Sequence, residues 1–209
     1  LRGVYTVTLT VGNAAGSDTL TRPHLISVYE PVQANFVVSP TSGIAPMEVE
    51  FTNQSTGDYA NCIWKFGDGS GSSTCADPSH VYNGSGGFTV TLTVSGLGGS
   101  DTLTQTKCIT AYTPVPASFT AWPTPRVVPL EVHFSNASAG DYTESLWNFG
   151  DGLTSTLRSP PHIYTTAGVY TVTLTVSGPG GSDTHLKVAY ITASKMHTVY
   201  LPVILRHYP

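Results

Sequence analysis

The sequence predicts an all-β protein built as a tandem array of β-sandwiches. Three observations carry this: an internal repeat, two-residue alternation of apolar and polar side chains, and Gly, Ser, Asp and Pro clusters between the alternating runs. The heptapeptide Tyr5 to Val11 (YTVTLTV) returns at Phe88 to Val94 and at Tyr170 to Val176, offset by 83 and then 82 residues. Each copy runs into a Gly-rich turn and the tetrapeptide GSDT, which begins at Gly16, Gly99 and Gly181. A second block joins only the later copies. Trp64 to Gly69 (WKFGDG) matches Trp147 to Gly152 (WNFGDG), and Pro78 to Tyr82 matches Pro161 to Tyr164 with one residue fewer.

Each element has a local reason. In the heptapeptide, Val, Leu and an aromatic alternate with Thr, so one strand face is apolar and the other polar. No window carries a helical stripe. About seven short strands per repeat, with two faces to bury, form a sandwich. Trp64 and Trp147 are the expected core anchors, joined by Tyr82 and Tyr164, because large aromatics bury the most apolar surface.

Composition sets the outer limits. The 209 residues leave room for one large domain or two ordinary ones. Charged residues make up 11% of the chain, against about 25% in an average soluble domain. Hydroxyl and amide side chains must therefore supply much of the solubility. The net charge of −4 and the lack of a basic patch argue against a nucleic-acid partner. No apolar run approaches the roughly 18–20 residues of a membrane helix. The sequence starts at Leu1 without a secretory signal, which favours a processed or incomplete product over a cytosolic one.

The ordered segments Ser39 to Pro46, Val49 to Phe51, Trp64 to Gly69, His80 to Tyr82 and Gly87 to Val94 resemble a bacterial PKD (polycystic kidney disease) domain. The next repeat shows the same order: Pro123 to Pro129, Phe134, Trp147 to Gly152, His162 to Tyr164 and Gly168 to Val176. The resemblance covers nearly all of residues 1–194. It implies immunoglobulin-like sandwiches, an extracellular location, a spacing or adhesive role, and no catalysis. Arg126 departs from the pattern where the earlier repeat has Gly43, so a different turn is expected there.

Four segments follow. Residues 1–30 match the last third of a module, residues 31–113 form one module (the N-module), and residues 114–194 form another (the C-module). Residues 195–209 are an apolar tail. Prolines in the joints, among them Pro31 and Pro114, should stiffen an elongated array. The half-module holds two strands, too few to bury a core. Either upstream sequence or another chain would have to supply its partners.

Candidate sites are sparse. Cys62 and Cys75 are both absent from the C-module, where Ser145 and the neighbourhood of Leu157 take their places. Their joint presence predicts a disulfide, in keeping with an oxidising compartment. Cys108 aligns with Tyr190 and Leu25, suggesting a buried apolar slot and a free thiol. Asp68 and Asp151 in the Phe-Gly-Asp-Gly turns invite a calcium reading. One carboxylate between glycines falls short of six to eight oxygens, and a tight turn explains it better. Asp18, Asp101 and Asp183 read as turn residues too. His80 and His162 recur without a recurring nucleophile, which favours packing over catalysis. No catalytic, cofactor-binding or metal-binding residue is expected.

Asn53, Asn83 and Asn136 begin glycosylation sequons, and the equivalence of Asn53 and Asn136 suits a turn role equally well. Tyr59, Tyr112, Trp122, Tyr142 and Tyr190 are candidates for stacking on sugars, with isolated surface aromatics as the plainer reading. In the tail, Val199, Tyr200, Leu201, Val203, Ile204 and Leu205 form a dense apolar strand that needs a partner. It could fold back on the C-module, augment a neighbouring chain, or serve as a sorting tail like those of some secreted bacterial surface proteins. The leading expectation is a rod or filament subunit on a bacterial cell surface, partnered by its own copies or other surface proteins. The alternative is an accessory polysaccharide- or protein-binding region of a secreted hydrolase.

Overall fold

A computed structural model describes residues 2–196, in which strands are joined by turns and bends. The chain divides into two compact units, Leu1–Ala111 and Tyr112–Pro209. Each unit holds one complete sandwich, and the first also holds the half-module. The assembly tail, Val199 to Leu205, lies outside the described residues.

The N-module contains β3 (Phe36–Ser39), β4 (Ser42–Ile44), β5 (Met47–Asn53), β6 (Asn61–Lys65), β7 (Gly71–Ser72), β8 (Ser79–Tyr82), β9 (Gly86–Gly96) and β10 (Gly99–Tyr112). Its two sheets run β3-β5-β8 and β4-β10-β9-β6-β7. The C-module repeats them with β11 (Phe119–Trp122), β12 (Pro125–Val127), β13 (Leu130–Asn136), β14 (Glu144–Asn148), β15 (Thr154–Ser155), β16 (Pro161–Tyr164), β17 (Gly168–Gly178) and β18 (Gly181–Ser194). Its sheets are β11-β13-β16 and β12-β18-β17-β14-β15. The half-module is one antiparallel hairpin of β1 (Gly3–Asn13) and β2 (Gly16–Val28).

Period-two alternation is visible in the burial. Met47, Val49 and Phe51 of β5 point inward while Glu48 and Glu50 face solvent. Val90, Leu92 and Val94 of β9 are buried, as are Val172, Leu174 and Val176 of β17. Trp64 meets Phe36 and Phe51 edge-on, with ring centroids 5.3 and 5.7 Å apart. Trp147 meets Phe119 edge-on at 5.2 Å and Phe134 at 5.4 Å with the rings tilted by 54°. A buried aromatic must also satisfy its polar atom. Trp64 Nε1 donates to the Thr74 carbonyl at 3.1 Å and Trp147 Nε1 to that of Leu157 at 2.9 Å. Tyr82 and Tyr164 donate to the carbonyls of Phe66 and Phe149. Burial, followed by the nearby Asp68 or Asp151 charge, pushes both phenols well above the usual tyrosine range.

All three hairpins share one irregularity. His24, Lys107 and Ala189 adopt positive φ angles of 54°, 48° and 50° where the strand pairing slips. In both complete modules a threonine hydroxyl takes the displaced amide: Thr89 accepts from Lys107 and Thr171 from Ala189, each at 3.1 Å. The bulge is thus a built feature of the strand.

Two expectations are corrected. The Arg126 position does not change the turn, since Pro125–Val127 forms a strand as Ser42–Ile44 does. Gly43 has no positive φ, so its backbone does not demand glycine, although a Cβ there would press on the Met47 sulfur at 3.1 Å. Cys108 and Tyr190 occupy half-buried rather than buried slots, because they lie on the flank of the core instead of within it.

Candidate functional site

The Phe-Gly-Asp-Gly turn is the most elaborate repeated arrangement among the described residues. Gly67 and Gly150, at φ 90° and 84°, let the chain turn sharply after β6 and β14. A Cβ at either position would collide with the backbone of Thr89 or Thr171. The turn aims Asp68 at His80, whose Nε2 lies 2.7 Å from Oδ2. The imidazole stacks on Phe66, centroids 4.4 Å apart at 6°. Asp151, His162 and Phe149 reproduce it, with 2.7 Å between Oδ2 and Nε2 and 3.9 Å between ring centroids. The aspartate and histidine singled out separately in the sequence are therefore one structural unit.

Its chemistry is that of a tie. Burial alone would raise the Asp68 pKa, but hydrogen bonds from the Ser70 hydroxyl and amide, together with His80, outweigh it and hold the carboxyl at about 2. Ser70 Oγ and Asp68 Oδ2 approach the same histidine nitrogen, at 3.1 and 2.7 Å. A catalytic triad requires them on opposite nitrogens. In the C-module Leu153 replaces Ser70, so no hydroxyl recurs. Both Asp68 oxygens are already engaged, and among the described residues no group of three or more His, Cys, Asp or Glu side chains gathers as metal ligands.

Asp101 and Asp183 do more than close turns. Asp101 accepts the Ala34 amide at 2.8 Å and Asp183 that of Ala117 at 2.7 Å. Each carboxylate thereby fastens the module's incoming segment to its last hairpin. The backbone bonds from Ala117 and Thr184 lower the Asp183 pKa. These cross-sheet bonds join residues more than sixty positions apart and leave no local signal.

Cys62 and Cys75 are joined by a disulfide with their Cα atoms 5.1 Å apart. The tryptophan hydrogen bonds make Thr74 equivalent to Leu157, so Cys75 corresponds to Arg158 and not to Leu157. The single-residue deletion falls after this point and had blurred the alignment. In the C-module, Ser145 and Arg158 stand where the N-module has its disulfide. Arg158 lies 5.5 Å above the Tyr142 ring. Around them is an open groove of about 600 Å³, lined by Tyr142, Glu144, Ser145, Leu146 and Arg158 among others.

The remaining candidates separate cleanly. Asn53 and Asn136 accept the amides of Ser55 and Ser138, and their own amide groups donate inward to the Cys75 carbonyl and to Ser145. Asn83 is exposed in the connection before β9. Of the proposed sugar-stacking aromatics, Tyr59, Tyr112, Tyr142 and Tyr190 are half-buried, whereas Trp122 is 70% exposed. Arg126 lies 6.0 Å from the indole centroid, and Glu131 and His133 line the same shallow depression. No helix among the described residues is long and apolar enough to cross a membrane.

The family model described as the PKD domain matches residues 31–111 and 114–193. The chain is 36% identical over 91 residues to Collagenase ColA of Bacillus cereus, covering 40% of this chain and 9% of the collagenase. It is 52% identical over 52 residues to the pre-pro-metalloprotease PrtV of Vibrio cholerae, covering 24% of this chain and 6% of that protein. The chain thus spans less than a tenth of either relative. Among solved structures, the PKD1 domain of the same metalloprotease aligns at 38% identity, covering 38% of this chain and 99% of that domain, with a TM-score of 0.33. The titin I-band fragment I67–I69 aligns over 91% of this chain and 75% of its own at 16% identity and a TM-score of 0.66, a likeness of fold alone. Only the non-catalytic PKD part of the enzymes is matched.

Proposed function

The chain belongs to the PKD domain family, and from that premise we propose that it works outside the cell as a non-catalytic spacing and binding region, engaging an extended polymer such as a polysaccharide. The observation that carries this reading is the identity of its relatives: two enzymes acting on other molecules, matched in their PKD part. The disulfide favours an oxidising compartment. Exposed Trp122, flanked by Arg126, Glu131 and His133, is the best-suited contact surface, since an indole offers a flat apolar face beside hydrogen-bonding groups.

A filament or adhesive subunit on the cell surface is the second reading. It is favoured by the exposed apolar face of the β1–β2 hairpin, which suits association. Co-sedimentation with insoluble polysaccharides and with collagen separates the two. Retention that Trp122→Ala abolishes supports the binding region. No retention, combined with filaments of the purified chain in electron micrographs, sinks it in favour of the subunit.

A further inference from the structure

The groove beside β14 is lined by positions that both modules possess, and a few substitutions give it its chemistry. Tyr142, Leu146 and Ser177 have like residues at Tyr59, Ile63 and Ser95 of the N-module. Glu144 stands where the N-module has Asn61, since each faces the equivalent serine on the neighbouring strand. Arg158 stands where it has Cys75. The C-module thus gains one charge of each sign at a place that the N-module spans with a disulfide.

Both charges are presented to the groove. Arg158 is exposed, and no carboxylate among the described residues forms an ion pair with it. Its guanidinium lies 5.5 Å from the centroid of the Tyr142 ring, an arrangement that limits the freedom of the flat cation. Glu144 is exposed as well, and its Oε2 accepts the Ser177 hydroxyl at 3.2 Å, which anchors the carboxylate at the groove wall. Between them Leu146 is half exposed and offers a small apolar surface. The Tyr142 hydroxyl is buried without a hydrogen-bond partner. A buried polar atom in that state calls for a guest that carries a hydrogen-bonding group.

We propose that this groove binds an acidic sugar residue, a uronate, of an extracellular polysaccharide. Arg158 pairs with the sugar carboxylate, a charge-assisted contact that a guanidinium makes through two parallel N–H donors. Glu144 accepts the ring hydroxyls, and Leu146 takes the apolar face of the ring. A neutral sugar would leave Arg158 unmatched. An acidic peptide would crowd further carboxylates against Glu144, where a uronate brings hydroxyl donors. The proposal rests on the reading of the chain as a polymer-binding region and adds a second contact to it. In the five-stranded sheet β14 lies on the far side of β17 and β18 from β12, the strand whose Arg126 accompanies Trp122.

The test titrates the whole chain with tetragalacturonate in a calorimeter at low salt. Saturable binding is expected, and Arg158→Ala should weaken it by roughly tenfold, as for the loss of a hydrogen bond to a charged group. Glu144→Gln should weaken it less. The double variant Ser145→Cys with Arg158→Cys places the N-module's cysteine pair in the groove. It should keep the native melting temperature and lose the sugar, which separates loss of the site from loss of the fold. Trp122→Ala, which tests the polymer reading, should leave the affinity for the tetramer unchanged. Absence of binding overturns the proposal, as does equal affinity for the neutral methyl ester of the tetramer. So does a hexaglutamate peptide that binds as tightly, because charge alone would then suffice. An affinity that Arg158→Ala leaves intact, or that Trp122→Ala abolishes, also overturns it, since the sugar would then sit elsewhere.

Discussion

The N-module and the C-module keep one core and differ at one edge. Trp, Phe and Tyr occupy matching core positions, and the Asp–His tie recurs. Beside that shared core, the N-module closes its edge with Cys62–Cys75, and the C-module opens a groove at Ser145 and Arg158. The difference teaches that the fold is held by the aromatic core and the hairpin fasteners, while the edge beside β6 or β14 is free to diverge. The bond between buried Cys62 and half-buried Cys75 gives way there to Ser145, held by Asn136, and to Arg158 over Tyr142, while the strand order of both sheets stays the same.

The sharpest way to break this equivalence is to empty both cores. Trp64→Ala and Trp147→Ala should each destabilise their module by about 3–5 kcal/mol, the usual range for a buried aromatic. Chemical denaturation of the whole chain, followed by hydrogen exchange in each module, measures both. A loss confined to one module would show that the two cores are not equivalent.

Reduction should separate the modules. The disulfide closes a loop with a sequence separation of 13, which corresponds to about 3 kcal/mol of chain entropy removed from the unfolded state. A thiol reductant should therefore lower N-module stability and leave the C-module in place. If both respond equally, the covalent bond is not what distinguishes them.

Acid probes the tie. The Asp68 carboxyl is held at about 2, against 3.8 for the free side chain. A depressed carboxyl contributes stability above its unfolded pKa and loses it as pH falls through the folded one. The N-module should thus lose this contribution between about pH 3.8 and pH 2, and Asp68→Asn should flatten that part of the profile. A stability curve from acid titration that is the same with and without the carboxylate would remove the tie from the energetics.

The smallest effect belongs to the shared bulge. Ala189 sits at a φ of 50°, where a Cβ is unfavourable and glycine is at ease. Ala189→Gly should raise C-module stability by roughly 0.5 kcal/mol, the strain relieved exceeding the entropy that glycine adds to the unfolded chain. A clear loss in a thermal melt would mean that the alanine methyl packs usefully.

Strand identity, core side and module order were legible because they are local or periodic. Alternation assigns each side chain to a face, and the 83- and 82-residue offsets carry each assignment from one copy to the next. Trp64 and Tyr82 could be placed in the core by size and repetition. The cysteine pairing was legible for another reason, the simultaneous loss of both cysteines in the other copy. Arg158 was missed because a deletion directly after it, where the N-module has Ala76, hid its equivalence to Cys75.

By itself, then, the sequence determined which residues alternate, where the chain turns, and which repeat each strand belongs to, since those properties depend on neighbours two or a few residues apart. Only the tertiary structure decided that Asp68 and His80 form one unit across two strands, and that Asp101 reaches Ala34 across the sandwich. It also decided that Val90 is buried while the corresponding Val7 stands open. The same residue in the same local sequence has two fates because burial is conferred by the opposite sheet, and strands β1 and β2 have no such sheet among the described residues.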